Sequence, residues 1–154
     1  MKKSLATLAL VAIASTAHAC PTLNGTWTSS HDLTMAFTRK HAKLEERTDH
    51  FLDQMMGRLT IRFDGTRVAY NLPDWDADIK GKQHHMAGFR EASDYQVLFC
   101  NDSTIVMKAR QPFTNKEAVT VYNFVDTDTA WVYQGSADQG TPDLNIREYF
   151  VGAN

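Results

Sequence analysis

The sequence predicts a mainly β chain: one small antiparallel up-and-down β-barrel of about eight to ten strands, with one long helix between the first and second strands. Three observations predict it. Short runs of alternating apolar and polar residues recur from residue 59 to the C-terminal end. Turn-forming residues separate them at regular intervals, the pattern of a sheet that closes on itself and leaves no open edge. A single stretch of helical periodicity interrupts the strands near the start, and no linker, repeat or second domain is visible.

The first residues read as an export signal over residues 1–19. Met1-Lys2-Lys3 is a short basic start, Leu5 to Ala14 is mostly apolar, and Ala17-His18-Ala19 fits the small-x-small cleavage rule. The apolar run is too short for a membrane span. Cleavage after Ala19 leaves 135 of the 154 residues, enough for one domain over residues 20–154 with one core. The remaining chain has 14 Lys and Arg against 18 Asp and Glu, a net charge near −4. A mildly acidic chain without a basic run offers no electrostatic reason to bind nucleic acid or anionic lipid. The expected compartment is therefore periplasmic or secreted.

Cys20 and Cys100 are the only cysteines. An exported chain with an even cysteine count is expected to pair them. The rival is lipidation of Cys20 at the cleavage site, which Ala17 and His18 fit poorly.

Taken in order, Asn24 to Ser30 reads as the first strand, centred on Trp27. Ser29 or Ser30 can cap the helix that follows, because a short hydroxyl accepts from unpaired first-turn amides. The helical pattern runs from Asp32 to Met56, with Leu33, Phe37, Leu44, Phe51, Leu52 and Met55 on one face and Gly57 as a left-handed stop. His41 and Thr48 fall within the apolar stripe, either buried and hydrogen-bonded or lining a cavity. Charges of both signs occupy the opposite face, as on a solvated helix. Then the period changes to two. Leu59–Phe63 and Thr66–Tyr70 flank Asp64-Gly65, a hairpin signal that would pair Ile61 with Val68. Asp74 to Asp78 reads as an acidic loop. Further strands are expected at Lys82–Arg90, Tyr95–Phe99, Thr104–Arg110, Glu117–Val125, Ala130–Gln134 and Leu144–Val151, with a long loop at Gly135–Asp143.

Leu23-Asn24-Gly25-Thr26-Trp27 resembles the Gly-x-Trp opening of the calycin barrels, the lipocalins and fatty-acid-binding proteins. A helical insertion after the first strand resembles the lid of the fatty-acid-binding proteins, although those have two short helices. Arg147-Glu148-Tyr149 resembles the Arg-x-Tyr of that family, which grips a fatty-acid carboxylate inside the barrel. The whole pattern is similar to small bacterial secreted lipocalin-like proteins of unknown role. The resemblance implies structural roles for Gly25 and Trp27, and ligand contacts from Arg147 and Tyr149.

Residues two apart on a strand point the same way, so Arg147 and Tyr149 share a face. Facing inward, Arg147 would hold a carboxylate by a charge-assisted bond. Alternatively it lies across Trp27 and closes the barrel end. A third arrangement puts Leu144, Ile146 and Phe150 inward, takes Glu148 with them and leaves Arg147 in solvent. Phe37, Phe51 and Met55 on the lid are candidate contacts for an apolar tail, or ordinary core packing.

Other chemistry is thinly signalled. Asp74, Asp76 and Asp78 alternate like half a calcium loop, but Ile79 and His85 stand where glycine and glutamate are needed. His84 and His85 point to opposite faces, and His41 and His50 are too far apart to share a metal. No metal or cofactor is expected, and no nucleophile motif stands out, so enzymatic activity has no residues to carry it. The expectation is an exported lipocalin-like protein that binds a small hydrophobic ligand, a carboxylate such as a fatty acid among the candidates. The alternative is a secreted protein-binding module, such as an inhibitor of an envelope hydrolase, with a filled barrel and contacts from the loops at Asp74–Asp78 and Gly135–Asp143.

Overall fold

Strand β1, Gly25–Ser29, is the seam of the structure: it pairs antiparallel with both the second strand of the chain and the last. The computed structural model describes residues 19–112, 114–134 and 144–153. The expected export signal of residues 1–19, all but Ala19, and the expected Gly135–Asp143 loop lie outside the described residues. The chain continues as α1 (His31–His41), α2 (Glu46–Met55), β2 (Thr60–Asp64), β3 (Arg67–Leu72), β4 (Trp75–Ile79), β5 (Lys82–Met86), β6 (Phe89–Cys100), β7 (Thr104–Arg110), β8 (Glu117–Phe124), β9 (Thr129–Gln134) and β10 (Ile146–Ala153). Eight strands close a barrel in the order β1-β10-β9-β8-β7-β6-β3-β2, and β4–β5 form a separate hairpin.

The helical segment lies where the sequence places it, but in two pieces. Ala42 is extended, with φ −92° and ψ 146°, and ends α1. A single helix over 32–56 would run about 37 Å at 1.5 Å per residue, too long to keep both ends on one barrel mouth. Folding back brings Met35 of α1 together with Leu52 of α2, Met56 and Ile146 in one buried cluster at the upper end. The buried face of α1 is Thr34, Met35 and Thr38, not the Leu33 and Phe37 of the expected stripe. Short hydroxyl side chains let α1 approach β10 closely, and Thr34 Oγ1 accepts from Tyr149 N–H at 2.9 Å. Ser30 caps α1 through Leu33 N–H, as its position predicts.

The β2–β3 turn is one residue further along than expected, which moves each cross-strand partner by two. Phe63 faces Val68 and Ile61 faces Tyr70, so the loop is Gly65-Thr66 rather than Asp64-Gly65. Gly65 has φ +59° and Thr66 does not share it. A two-residue turn with glycine at its first central position is the type that demands positive φ only there.

Asp74–Asp78 is a strand and not a loop. Trp75 and Ala77 are buried while Asp76 is exposed, a period-two pattern that the acidic composition hid. Lys80, with φ 56°, turns this strand into β5. The hairpin is fastened to α2 by Gln54, which donates to Asp78 O at 3.1 Å and accepts from Asp78 N–H at 2.6 Å. The expected strands at Lys82–Arg90 and Tyr95–Phe99 are instead β5 and the twelve-residue β6.

The lower end is plugged. Trp27 is 5% exposed, donates from Nε1 to Leu23 O at 2.8 Å and meets Phe124 edge-on at 5.8 Å. Gly25 precedes it at φ +121°, a conformation that side-chain-bearing residues rarely adopt, which explains the Gly-x-Trp spacing. Phe63, Val68, Met107 and Phe150 fill the barrel above it. Each large side chain removed from water here contributes about 2–3 kcal/mol. The Cys20–Cys100 disulfide ties the chain start to the end of β6.

Candidate functional site

The strand register decides what faces the barrel interior. Ile146 pairs with Gln134, Glu148 with Val132 and Phe150 with Ala130, and all three β10 residues are buried. Arg147 and Tyr149 are therefore on the outer face of β10. Of the three placements for Arg147, the structure takes the one with Ile146, Glu148 and Phe150 inward, but α1 covers Arg147 rather than leaving it in solvent. Its guanidinium lies 4.0 Å over Trp131 and 4.5 Å over Phe37, not on Trp27. Phe37 also stacks on His41 at 4.4 Å and tilts against Tyr149 at 6.1 Å. The cluster fastens α1 to the barrel wall.

The same register puts every Lys and Arg of the eight barrel strands at an outward position among the described residues: Arg62, Arg67, Arg90, Lys108, Arg110 and Arg147. The inward charged positions are Glu91 of β6 and Glu148 of β10. Glu148 is 6% exposed. Gln134 Nε2 donates to its Oε2 at 2.7 Å, and it is hydrogen-bonded to the Ser29 side chain. Ser29 Oγ in turn accepts from Gly57 N–H at 3.0 Å. Burial raises the Glu148 carboxyl above its ordinary range, against the pull of these two hydrogen bonds. Tyr122, fully buried, has its phenol pushed far up by burial and then by Tyr70 and Glu148. Burial pushes the Tyr70 phenol up to about 12. Carboxyl and phenols thus form one polar column inside an otherwise apolar barrel.

The upper half of the barrel is open on one side. Residues Phe89–Asp94 of β6 pair with β3, while Tyr95–Cys100 pair with β7, with a bulge between Val97 and Phe99. Strand β7 ends at Arg110, so upper β6 has no β7 partner. Strand β8 pairs with β9 only at Asn123 and Phe124 among the described residues. The tip of the β7–β8 hairpin therefore separates from its neighbours, leaving a cleft of about 780 Å³. Tyr70, Glu91, Ser93 and Tyr95 line it from inward positions, and Lys108 and Arg110 stand at its rim. Lys108 Nζ is 3.3 Å from Glu117 Oε2, and Arg110 Nη1 donates to Asn115 Oδ1 at 3.2 Å. Ser93 Oγ is buried without a hydrogen-bond partner.

The other residues singled out in the sequence are spread over the molecule. Phe51 packs on Trp75 at 5.8 Å, away from the cleft lining. Met55 joins the cluster under the helices. His85 Nδ1 is 3.1 Å from Asp76 Oδ1, a surface pair. Among the described residues no group of three His, Cys, Asp or Glu could hold a metal ion. Sequence reasoning does not single out Glu91, Tyr70 or Tyr122 as site residues, and brings Glu148 inward only with the third placement of Arg147. The signal for Glu148 was present: it alternates with Ile146 and Phe150 on one strand.

These features define a closed eight-stranded antiparallel barrel with a helical cap, one plugged end and a polar opening at the other, compatible with a calycin-like fold. Comparison of the chain with protein-family models, curated proteins and solved structures finds no match.

Proposed function

We propose that the protein is an exported barrel that binds a small, partly apolar molecule in its upper half, reached through the cleft between β6 and the β7–β8 hairpin. The observation that carries this reading is the combination of a 780 Å³ opening with inward polar groups, Ser93 Oγ among them, that the fold leaves without partners. The lining is mostly polar and charged, with the rings of Tyr70 and Tyr95 as its main apolar surface, which suits a polar molecule carrying a small apolar part. Met55 packs into the cluster under the helices and is not among the residues that line the cleft. Arg147 and Tyr149 have no carboxylate-gripping role in this reading, because both lie outside the barrel. Export is supported by the Cys20–Cys100 bridge, a bond that persists in oxidising compartments.

One observation favours a second reading, a secreted protein-binding module such as an inhibitor of an envelope hydrolase. Phe99, Val106 and Val121 are register neighbours on the outer face, and Phe99, Val121, Val119 and Leu98 are all exposed. An apolar row of this kind is a form of surface that partners cover.

Native and denaturing mass spectrometry of protein recovered from its exported form tests the first reading. A small bound mass that disappears on denaturation is expected. Bare protein under gentle conditions, together with a co-purifying second polypeptide, would replace it with the second reading.

A further inference from the structure

We infer that the ligand of this cleft is a small organic cation, an amine carrying its ammonium to Glu91 and its apolar body to the rings of Tyr70 and Tyr95. The inference rests on the small-molecule reading above and deepens it.

Three observations carry it. The first is the segregation of charge by the barrel wall. Among the described residues the inward positions of the eight strands hold two carboxyls, Glu91 and Glu148, and no Lys, Arg or His. A carboxylate entering here would be repelled by Glu91 and would find no cation deeper in. The second is the state of the lining. The Glu91 side chain makes no ion pair with any described residue, whereas at the rim Lys108 is paired with Glu117 and Arg110 donates to the neutral Asn115. Ser93 Oγ, the register neighbour of Val68 on the same strand face as Glu91, is a buried hydroxyl with no partner and can accept from an ammonium N–H. The third is aromatic. Tyr70 pairs across the strands with Glu91, so its ring is the carboxylate's neighbour, and Tyr95, on the same face of β6 but about 13 Å further along the strand, offers a second ring to the ligand's far end. An ammonium gains from a ring face as well as from a carboxylate.

The test uses three probes with one phenylethyl body: 2-phenylethylammonium, 2-phenylethanol and 3-phenylpropanoate. Each is titrated into the intact exported protein while backbone amide resonances and heats of binding are followed. The ammonium is expected to shift amides of residues 91–95 and to bind about tenfold more tightly than the carboxylate, the size of one charge-assisted hydrogen bond. Glu91→Gln should remove that preference, bringing the ammonium and the carboxylate to similar affinity. Equal or tighter binding of the carboxylate overturns the inference, as does an ammonium preference that survives Glu91→Gln. Binding of the alcohol or carboxylate without ammonium preference leaves the small-molecule reading in place and removes only this inference. If none of the three probes perturbs the cleft, both fall together.

Discussion

Arg147 and Glu148 are consecutive in the chain and lie on opposite sides of the barrel wall. Arg147 is clamped outside between Trp131 and Phe37, and Glu148 is buried inside against Gln134. This alternation takes Arg147 out of the barrel interior and puts a carboxyl there, and the first prediction tests it.

Replacing Arg147 by Ala removes the flat cation that joins α1 to β9 and β10. A partly desolvated stack of this kind contributes about 1–2 kcal/mol, and the aliphatic stem adds packing. The expected result is a lower denaturant midpoint with an unchanged slope, and unchanged affinity for any ligand found in the cleft. Loss of ligand binding in a folded Arg147→Ala protein would place the head-group site on the outer face instead.

Glu148 makes stability depend on pH in a definite direction. Its folded value is raised by burial, so its contribution is fully present below the ordinary carboxyl value and is lost as pH rises through the folded value. Glu148→Gln keeps one acceptor oxygen, for Gln134, turns the other into an amide donor and removes the buried charge. The variant should melt higher than the wild type near neutral pH, and the difference should vanish by about pH 4. A melting difference independent of pH would show that ionisation of Glu148 is not involved.

The two cap helices are cross-strapped on their exposed side. His31 Nε2 lies 3.1 Å from Asp53 Oδ1 and its Nδ1 lies 2.9 Å from Asp32, while Arg39 Nη2 reaches Asp53 at 2.7 Å and Asp49 at 3.1 Å. The hydrogen bond to Asp32, with a further one to Asp53, raises the His31 imidazole against the effect of burial. Burial would raise Asp53, but His31 and Arg39 together hold it below its ordinary value. The His31 contribution is present below the ordinary histidine value and is lost as pH rises through the folded one. The Asp53 contribution is present above the ordinary aspartate value and is lost as pH falls through the folded one. Protection factors of α1 amides, corrected for the intrinsic pH dependence of exchange, should therefore be highest between about pH 4.5 and 6. Because the groups are half-exposed the effect is small and salt-screened. His31→Gln should abolish the alkaline limb of that profile; an unaltered limb would assign it to another group.

Reduction of Cys20–Cys100 opens a loop spanning 80 residues. In the chain-entropy model that costs about 4–5 kcal/mol, enough to remove much of the stability of a domain of this size. The Cys20→Ser/Cys100→Ser double variant should unfold at markedly lower denaturant than the oxidised protein, and added reductant should not shift it further. Equal midpoints would mean that the plug around Trp27 and Phe124 holds the chain start without the bridge.

How much of this was legible beforehand depends on the kind of interaction. The Trp27 opening, the cap by Ser30, the strand periods and the pairing of two cysteines are carried by residues near in sequence or by simple parity, and the structure shows them. The register of β2–β3 was misjudged because Asp64-Gly65 satisfies a two-residue turn at either of two positions, and only the positive φ at Gly65 alone separates them. Strand β4 was hidden because its outward residues are acidic, although Trp75 and Ala77 alternate inward.

The sequence by itself determined a one-layer closed sheet with a helical cap, since alternation over many short segments and one long amphipathic stretch suffice for that. It did not determine the site. Which face of β10 looks inward depends on pairings with β1 and β9, whose partners are over a hundred residues and about a dozen residues away, and a one-residue slip exchanges Arg147 for Glu148. The break between α1 and α2 depends on the width of the barrel mouth. The opening between β6 and β7 depends on where two strands of unequal length part company. Local propensity is blind to these distances, and only closure of the barrel resolved them.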